Sequence, residues 1–264
     1  GIILLLLIIK ISGRMNASSV LTLVQWLLLL NFFAGFISIP DGRLFGESYV
    51  TNSLIVLQKN VLNGGLYLIS LLFVGWYKQC RHLTEFFILM LASVLGLFLM
   101  LSANHLLLFY VSLELATLPV AALANFETTR ARSSEAAMKL IYNSAFSSGI
   151  LLFGISLIYG ITGTLRFDVL AQVIHFALPV VVICFVFLIT SFAFKLSVVP
   201  FHFWTADVYE GSPTPVTAFL SVLSKGTAAF VLITVLYRIF HSLSYTGYVL
   251  IVVLAMITML IGNL

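Results

Sequence analysis

The chain is a succession of apolar runs, most of them long enough to cross a bilayer, joined by short polar loops. A hydrocarbon core of ~30 Å takes ~20 helical residues per crossing. Runs of that kind are expected at about 1–11, 19–39, 54–77, 85–103, 105–125, 138–160, 178–208, 213–238 and 245–264, the first only a partial span. The fold class this predicts is all-α: a polytopic transmembrane helix bundle of about eight full spans plus a partial first helix. Composition agrees, with 61% hydrophobic and 8% charged residues and a mean hydropathy of +1.16. A soluble domain carries ~25% charged residues. This chain could not cover itself with water-compatible surface, and 264 residues leave no room for a sizeable soluble domain beside the spans.

The loop charges alternate between two ends. One end collects Lys10, Arg14, Lys78, Arg81, Arg130, Arg132 and Lys139; the other holds Arg43, Lys59, Arg166 and Arg238. The richer end is expected to face the compartment of synthesis, cytoplasm or matrix. The net charge of +4 is spread over these short loops and does not point to nucleic acid. There is no glycine fingerprint for a dinucleotide and no phosphate loop. The two cysteines, Cys80 and Cys184, suggest neither a disulfide nor a metal cluster. No iron–sulfur cysteine run or paired-histidine haem site is visible, so redox chemistry associated with this chain is expected to reside in other chains. The opening GIILLLLIIK is too short to span and reads as the tail of a helix whose start is not covered.

Three ionisable residues stand deep within apolar runs: Glu114, Lys195 and Lys225. A charge at the bilayer centre costs ~2.5–3.5 kcal/mol on insertion scales, so such residues usually carry ions or protons, or pair across helices. Lysines near helix ends can snorkel to the interface. Lys225 is about a dozen residues from either end of its span, ~18 Å at 1.5 Å per residue, beyond the reach of a lysine stem. It must be neutral, paired or hydrated inside the bundle. Glu114 could be a structural glutamate assisted by Ser112 and Thr117, or the partner of a lysine on another helix. Pro200, in VVPFHFW, is expected to break its span just after Lys195. Broken backbone at membrane depth is tolerated where it is buried in protein or lines a wet cavity, and broken helices frame ion sites in transporters. His202 follows the break and is either a hydrogen-bonded core histidine or a further proton carrier. His105 reads as interfacial, Asp207 and Glu210 as loop charges or helix-end caps, and the Tyr and Trp residues as anchors or packing.

The stretch FKLSVVPFHFWTADVYEGSPTPVTAFLSVLSK, Phe194–Lys225, resembles the signature of the antiporter-like subunits of respiratory complex I. Within that group DVYEGSPTPVTAFLSVLSK and SSEAAMKLIYNSAFSSGILLFGISLIYGITGTLRF are most similar to NADH dehydrogenase subunit 2, and LFYVSLELATLP to the helix bearing the family's intramembrane glutamate. The resemblance covers most of the chain from about residue 85. It implies a fold of the antiporter-like type with one proline-broken helix. It also implies a proton relay in which Glu114 matches the family glutamate, Lys195 the lysine of the broken helix and Lys225 the central lysine of the next.

The resemblance further implies a subunit of the proton-translocating NADH:ubiquinone reductase that binds no cofactor itself. NADH, FMN, iron–sulfur clusters and ubiquinone would belong to other subunits. Partners would be other membrane-arm subunits and lipids, in the mitochondrial inner membrane or, alternatively, a bacterial plasma membrane or thylakoid. Rival readings are a cation/proton antiporter subunit, a photosynthetic relative of complex I, and a structural membrane scaffold. The organisation expected is peripheral helices at 1–84, a five-helix antiporter-like unit at 85–240 and the start of a second, inverted unit at 241–264. The family continues into that second unit where this chain reaches MLIGNL. The expectation is therefore an N-terminal fragment, with a second polypeptide, or an unseen continuation, supplying the remaining half.

Overall fold

The computed structural model describes residues 1–12, 16–37, 41–174, 179–240 and 245–263. Arg14, one of the charges assigned to the basic end, and Leu264 lie outside the described residues. In chain order the elements are α1 (Ile2–Ser12), α2 (Ala17–Ala34), a hairpin of β1 (Gly42–Leu44) and β2 (Tyr49–Thr51), α3 (Ser53–Leu72), α4 (Val74–Gln79), α5 (Leu83–Ser102) and α6 (Leu106–Ala124). There follow α7 (Ala131–Thr162), α8 (Phe167–Val173), α9 (Pro179–Leu196), α10 (Phe203–Gly211) and α11 (Thr214–Ala218). A π-helical turn (Phe219–Ser224), α12 (Lys225–Arg238) and α13 (Tyr245–Gly262) complete the chain. Seven helical stretches among the described residues are long and apolar enough to span a membrane, α11 through α12 counting as one. Helices α1 and α13 are shorter apolar helices among the described residues, so seven full spans are observed where about eight are expected. The expected all-α bundle is the fold observed.

Helices in lipid gain little from the hydrophobic effect, so close packing and interhelical hydrogen bonds must hold them together. The tightest pair is α5 on α6. Gly96 lies so close to α6 that a Cβ there would stand 2.4 Å from the Ala116 backbone nitrogen. One turn away, the Ser93 hydroxyl donates to the Ala116 carbonyl at 2.6 Å. On the flank, α2 is tied to α3 by Gln25 donating to the Ser70 carbonyl (3.0 Å) and Asn63 donating to the Leu28 carbonyl (3.1 Å). Helix starts are capped locally: the Asn52 side chain accepts from the Ile55 N–H, and His105 Nδ1 accepts from the Leu107 N–H. Gly163 ends α7 in the left-handed conformation, at φ +67°.

Side-chain contacts keep the two charged ends apart, as loop alternation predicts. At the basic end Lys10 pairs with Glu85, Arg132 with Glu210, and Lys139 with Asp207. At the sparse end the hairpin folds over the helix ends. Arg166 pairs with Glu47 and Asp168, Asn104 donates to the Glu47 carbonyl, and Arg238 donates to Asn104. The Arg166 guanidinium holds the Asp168 carboxyl below the usual carboxylate range. The stability this pair contributes is therefore present above the ordinary carboxylate range and is lost only as pH falls below it.

Gly96→Ala should destabilise the bundle by about 1–3 kcal/mol, because its methyl meets backbone that cannot step aside. Gly149→Ala, whose Cβ would meet nothing within 4 Å, should be neutral or mildly stabilising. Thermal unfolding of the two variants in detergent checks the contrast.

Candidate functional site

The span at 178–208 divides as expected, but earlier than the proline. Helix α9 ends at Leu196, four residues before Pro200. Ser197 takes the left-handed conformation (φ +60°), the Ser197 N–H bonds the Phe194 carbonyl at 3.1 Å, and the Val198 N–H bonds the Ala193 carbonyl at 2.8 Å. This is a Schellman ending with serine where glycine is commoner. Pro200 then prevents the helix from resuming, its peptide bond to Val199 being cis. The chain restarts at Phe203 as α10.

The opened backbone finds partners. The Trp204 indole N–H donates to the Phe194 carbonyl (3.2 Å), the Thr205 hydroxyl donates to Ser197 Oγ (2.5 Å), and the Val199 N–H donates to Thr258 Oγ1 on α13 (3.2 Å). Unpartnered groups would cost several kcal/mol each in hydrocarbon. The break also leaves a helix C-terminus within the span, with Lys195 in its last turn. The negative end of the helix dipole favours a cation there.

Lys195 reaches across to α6. Its ammonium donates to Thr117 Oγ1 at 2.5 Å, and the threonine hydroxyl donates to the Leu113 carbonyl at 2.7 Å. Glu114 is half-buried one turn before Thr117, near the middle of α6. Lys195 thus meets the glutamate's helix through Thr117 rather than through the carboxylate. Ser112 instead bonds its own helix, donating to the Leu108 carbonyl. Pro119, inside α6, leaves the Leu115 carbonyl without its helical donor.

Lys225 stands where the π-helical turn ends. The wider turn shifts the register of the following helix; such turns are frequent at functional sites. Among the described residues the partner of its ammonium is the ring of Tyr209, 5.2 Å from Nζ to the centroid. That is within cation–π range. The Tyr209 hydroxyl is buried and has no hydrogen-bond partner among the described residues.

Both lysines line one cavity of about 40 Å³, walled also by Thr117, Asn143, Ser147 and Trp204. That is room for roughly three waters, with polar groups to hold them. His202 does not reach it. The imidazole lies in the break against Phe203, ring centroids 4.4 Å apart, with Nδ1 buried and unpartnered among the described residues. Among the described residues no three His, Cys, Asp or Glu side chains come together to hold a metal. Asp207 and Glu210, read as loop charges or caps, are ion-paired to α7 instead. Trp204, read as an anchor or packing residue, lines the cavity, and the ring of Tyr209 faces Lys225. Their signal in the sequence was proximity to the break, which composition alone does not weigh.

The chain is thus a multi-pass helix bundle with a capped helix break and with two lysines on one cavity of mixed lining. The chain belongs to the family described as NADH:quinone oxidoreductase/Mrp antiporter, whose model matches residues 103–264. It is 42% identical over 226 residues to NADH-quinone oxidoreductase subunit N of Azobacteroides pseudotrichonymphae, a match covering 84% of this chain and 47% of that protein. Its structure is similar to a chain of respiratory complex I from Thermus thermophilus (28% identity, TM-score 0.74, covering 87% of this chain and 50% of that one). A chain of the Mrp complex from Dietzia sp. shares the fold at 22% identity (TM-score 0.75, covering 90% and 47%). The chain spans about half the length of the curated relatives it matches.

Thr117→Val keeps the shape of the residue and removes the hydroxyl that accepts from Lys195. A hydrogen bond to a charged group contributes ~1.5–3 kcal/mol, so thermal unfolding should show a loss of that order. Thr117→Ser should restore most of it.

Proposed function

We propose that this chain relays protons within the membrane arm of an NADH:quinone oxidoreductase, as an antiporter-like subunit. The observation that carries the reading is the shared cavity, which sets Lys195 and Lys225 on one small volume with several polar groups among largely apolar walls. In this reading Lys195 holds a proton at the helix break, with Glu114 one turn from its threonine partner, and passes it through cavity water to Lys225. His202 is kept as an auxiliary carrier at the break. Residues 85–240 form the relay unit, 1–84 the peripheral helices and 241–264 the beginning of a second, inverted unit. Oxidation of NADH and reduction of quinone are assigned to other subunits, along with flavin and iron–sulfur clusters.

The energetics limit how the relay works. Moving one charge against ~150 mV costs ~3.5 kcal/mol. Any two unit charges ~8 Å apart at an effective dielectric of ~20 attract by only ~2 kcal/mol, so separating a glutamate from a lysine on that scale falls short. Hydration of the cavity must supply the rest. Wetting and drying about three water sites beside a lysine is a change of the right kind, because an ammonium without water or a counter-ion is strongly disfavoured.

A second reading has specific support. The family description names the Mrp antiporter as well as NADH:quinone oxidoreductase, and the fold likeness to the two kinds of complex is level. The 42% identity to an oxidoreductase subunit favours the first reading. Co-purification with flavin- and iron–sulfur-bearing subunits that oxidise NADH would uphold it, whereas sodium/proton exchange without them would uphold the antiporter. Of the mitochondrial inner membrane and the bacterial plasma membrane, the relatives named above support the bacterial one. The apolar face of α13 is exposed, as are those of α2 and α3, and can be covered by lipid or by protein. We assign the cover of α13 to the second helical unit, on this polypeptide or another.

Lys225→Ala should leave the complex assembled and lower coupled NADH–quinone turnover by at least tenfold. Wild-type pumping in the assembled variant would overturn the relay and leave the charges as structural pairs.

A further inference from the structure

Helix α7 carries Glu135, Lys139, Asn143 and Ser147 at four-residue spacing, one polar stripe on one face. The stripe starts at the basic end and ends at the depth of the cavity, for Asn143 and Ser147 line it. At the next two positions of the same row, Leu151 and Ile155, the helix is apolar and buried. The polar row therefore leads from one end only.

Outside the cavity, on the same seam between α7 and α10, lies a second opening of about 180 Å³. It is walled by Arg132, Glu135, Asp207, Glu210 and Gly211. The seam is close: a Cβ on Gly211 would come within 2.4 Å of the Arg132 carbonyl oxygen. Between the two spaces stands Lys139. Its ammonium donates to Asp207 on α10 and pairs with Glu135 on its own helix, both at 2.6 Å. Its carbonyl accepts from the Asn143 side chain at 2.7 Å. Counting Arg132 and Lys139 against Glu135, Asp207 and Glu210, this mouth carries one excess negative charge. A negative mouth concentrates cations, hydronium included.

We infer that protons reach the lysine cavity from the basic end along the α7 stripe, and that the Lys139–Asp207 pair is the gate on that route. The inference rests on the relay reading of the cavity and adds its access path. The gate joins two moving parts. Asp207 belongs to α10, the half-helix beyond the break, so a shift at the break moves the carboxylate relative to Lys139. The pair is half exposed, 38% for the lysine and 51% for the aspartate. Ion pairs so exposed are weak, so opening costs little. When Lys139 turns toward Glu135 alone, the way from the mouth to Asn143 lies open to water.

The test is thiol accessibility in the assembled complex, in sealed membrane vesicles, with Cys80 and Cys184 replaced by serine. Asn143→Cys is exposed to trimethylammonium-ethyl methanethiosulfonate on one side at a time. Slow labelling from the basic side is expected, and none from the other. Asp207→Asn, or Lys139→Met should the first variant fail to assemble, should speed labelling at least tenfold. Lys139→Arg, which keeps the ion pair, should leave it slow. An unchanged rate in the open-gate variants, or faster labelling from the sparse end, overturns the inference. Pumping by Lys225→Ala is scored separately. If gate variants label faster while Lys225→Ala pumps normally, the route stands and the relay falls. If Lys225→Ala stops pumping while labelling ignores the gate, the relay stands and the route falls.

Discussion

A polar backbone group inside a membrane has no water to turn to, and the break at Leu196 exposes several of them in the middle of the bundle. The architecture around the site follows from satisfying those groups. The left-handed Ser197 lets two N–H groups fold back onto the end of α9. Trp204, from the half-helix beyond the break, returns to the Phe194 carbonyl, and Thr258 reaches in from α13. Carbonyls left at the end of α9 hold partial negative charge where a lysine is the residue in the last turn. The break and the buried cation therefore support one another. A continuous helix would offer Lys195 no such end, and a neutral residue there would leave the dipole unanswered.

The same logic explains why the cavity is small and mixed in character. Lys195 is anchored by one hydroxyl, itself bonded to a carbonyl, while Lys225 faces an aromatic ring. Among the described residues neither has a carboxylate in direct contact. A tight buried ion pair would trap its proton, because leaving one charge unpaired in low dielectric is costly. Partners that are polar but uncharged hold a lysine in place and still allow it to change its charge when water enters. The chain spans about half the length of the relatives it matches, and the residues that line the cavity fall within 113–225.

Much of the fold was legible because membranes impose length and polarity on every span. The runs, their alternation and the depth of the three charges follow from hydropathy and helix rise alone. Details that depend on one helix meeting another were not. Pro200 announces a break but not its place; Ser197 sets that, and a serine at positive φ has no sequence mark. The π-helical turn before Lys225 lies in FLSVLS, which reads as ordinary helix. In the sequence Thr117 stands out only as a neighbour of Glu114, yet it is the residue that Lys195 touches. Asn143 and Tyr209 gain meaning only when α7 and α10 are seen to pack together. The hairpin over the sparse end was also illegible, since GRLFGESYVT carries short strands too brief for a periodic signal.

The central claim is that Lys195 and Lys225 act as one unit through the cavity they share. A double-mutant cycle on proton pumping, with Lys195→Ala and Lys225→Ala alone and together in the assembled complex, tests it most directly. Two residues in one relay should be non-additive, so that the second loss adds little to the first. Losses that multiply as independent effects would contradict the account and would mean that the two lysines serve separate purposes.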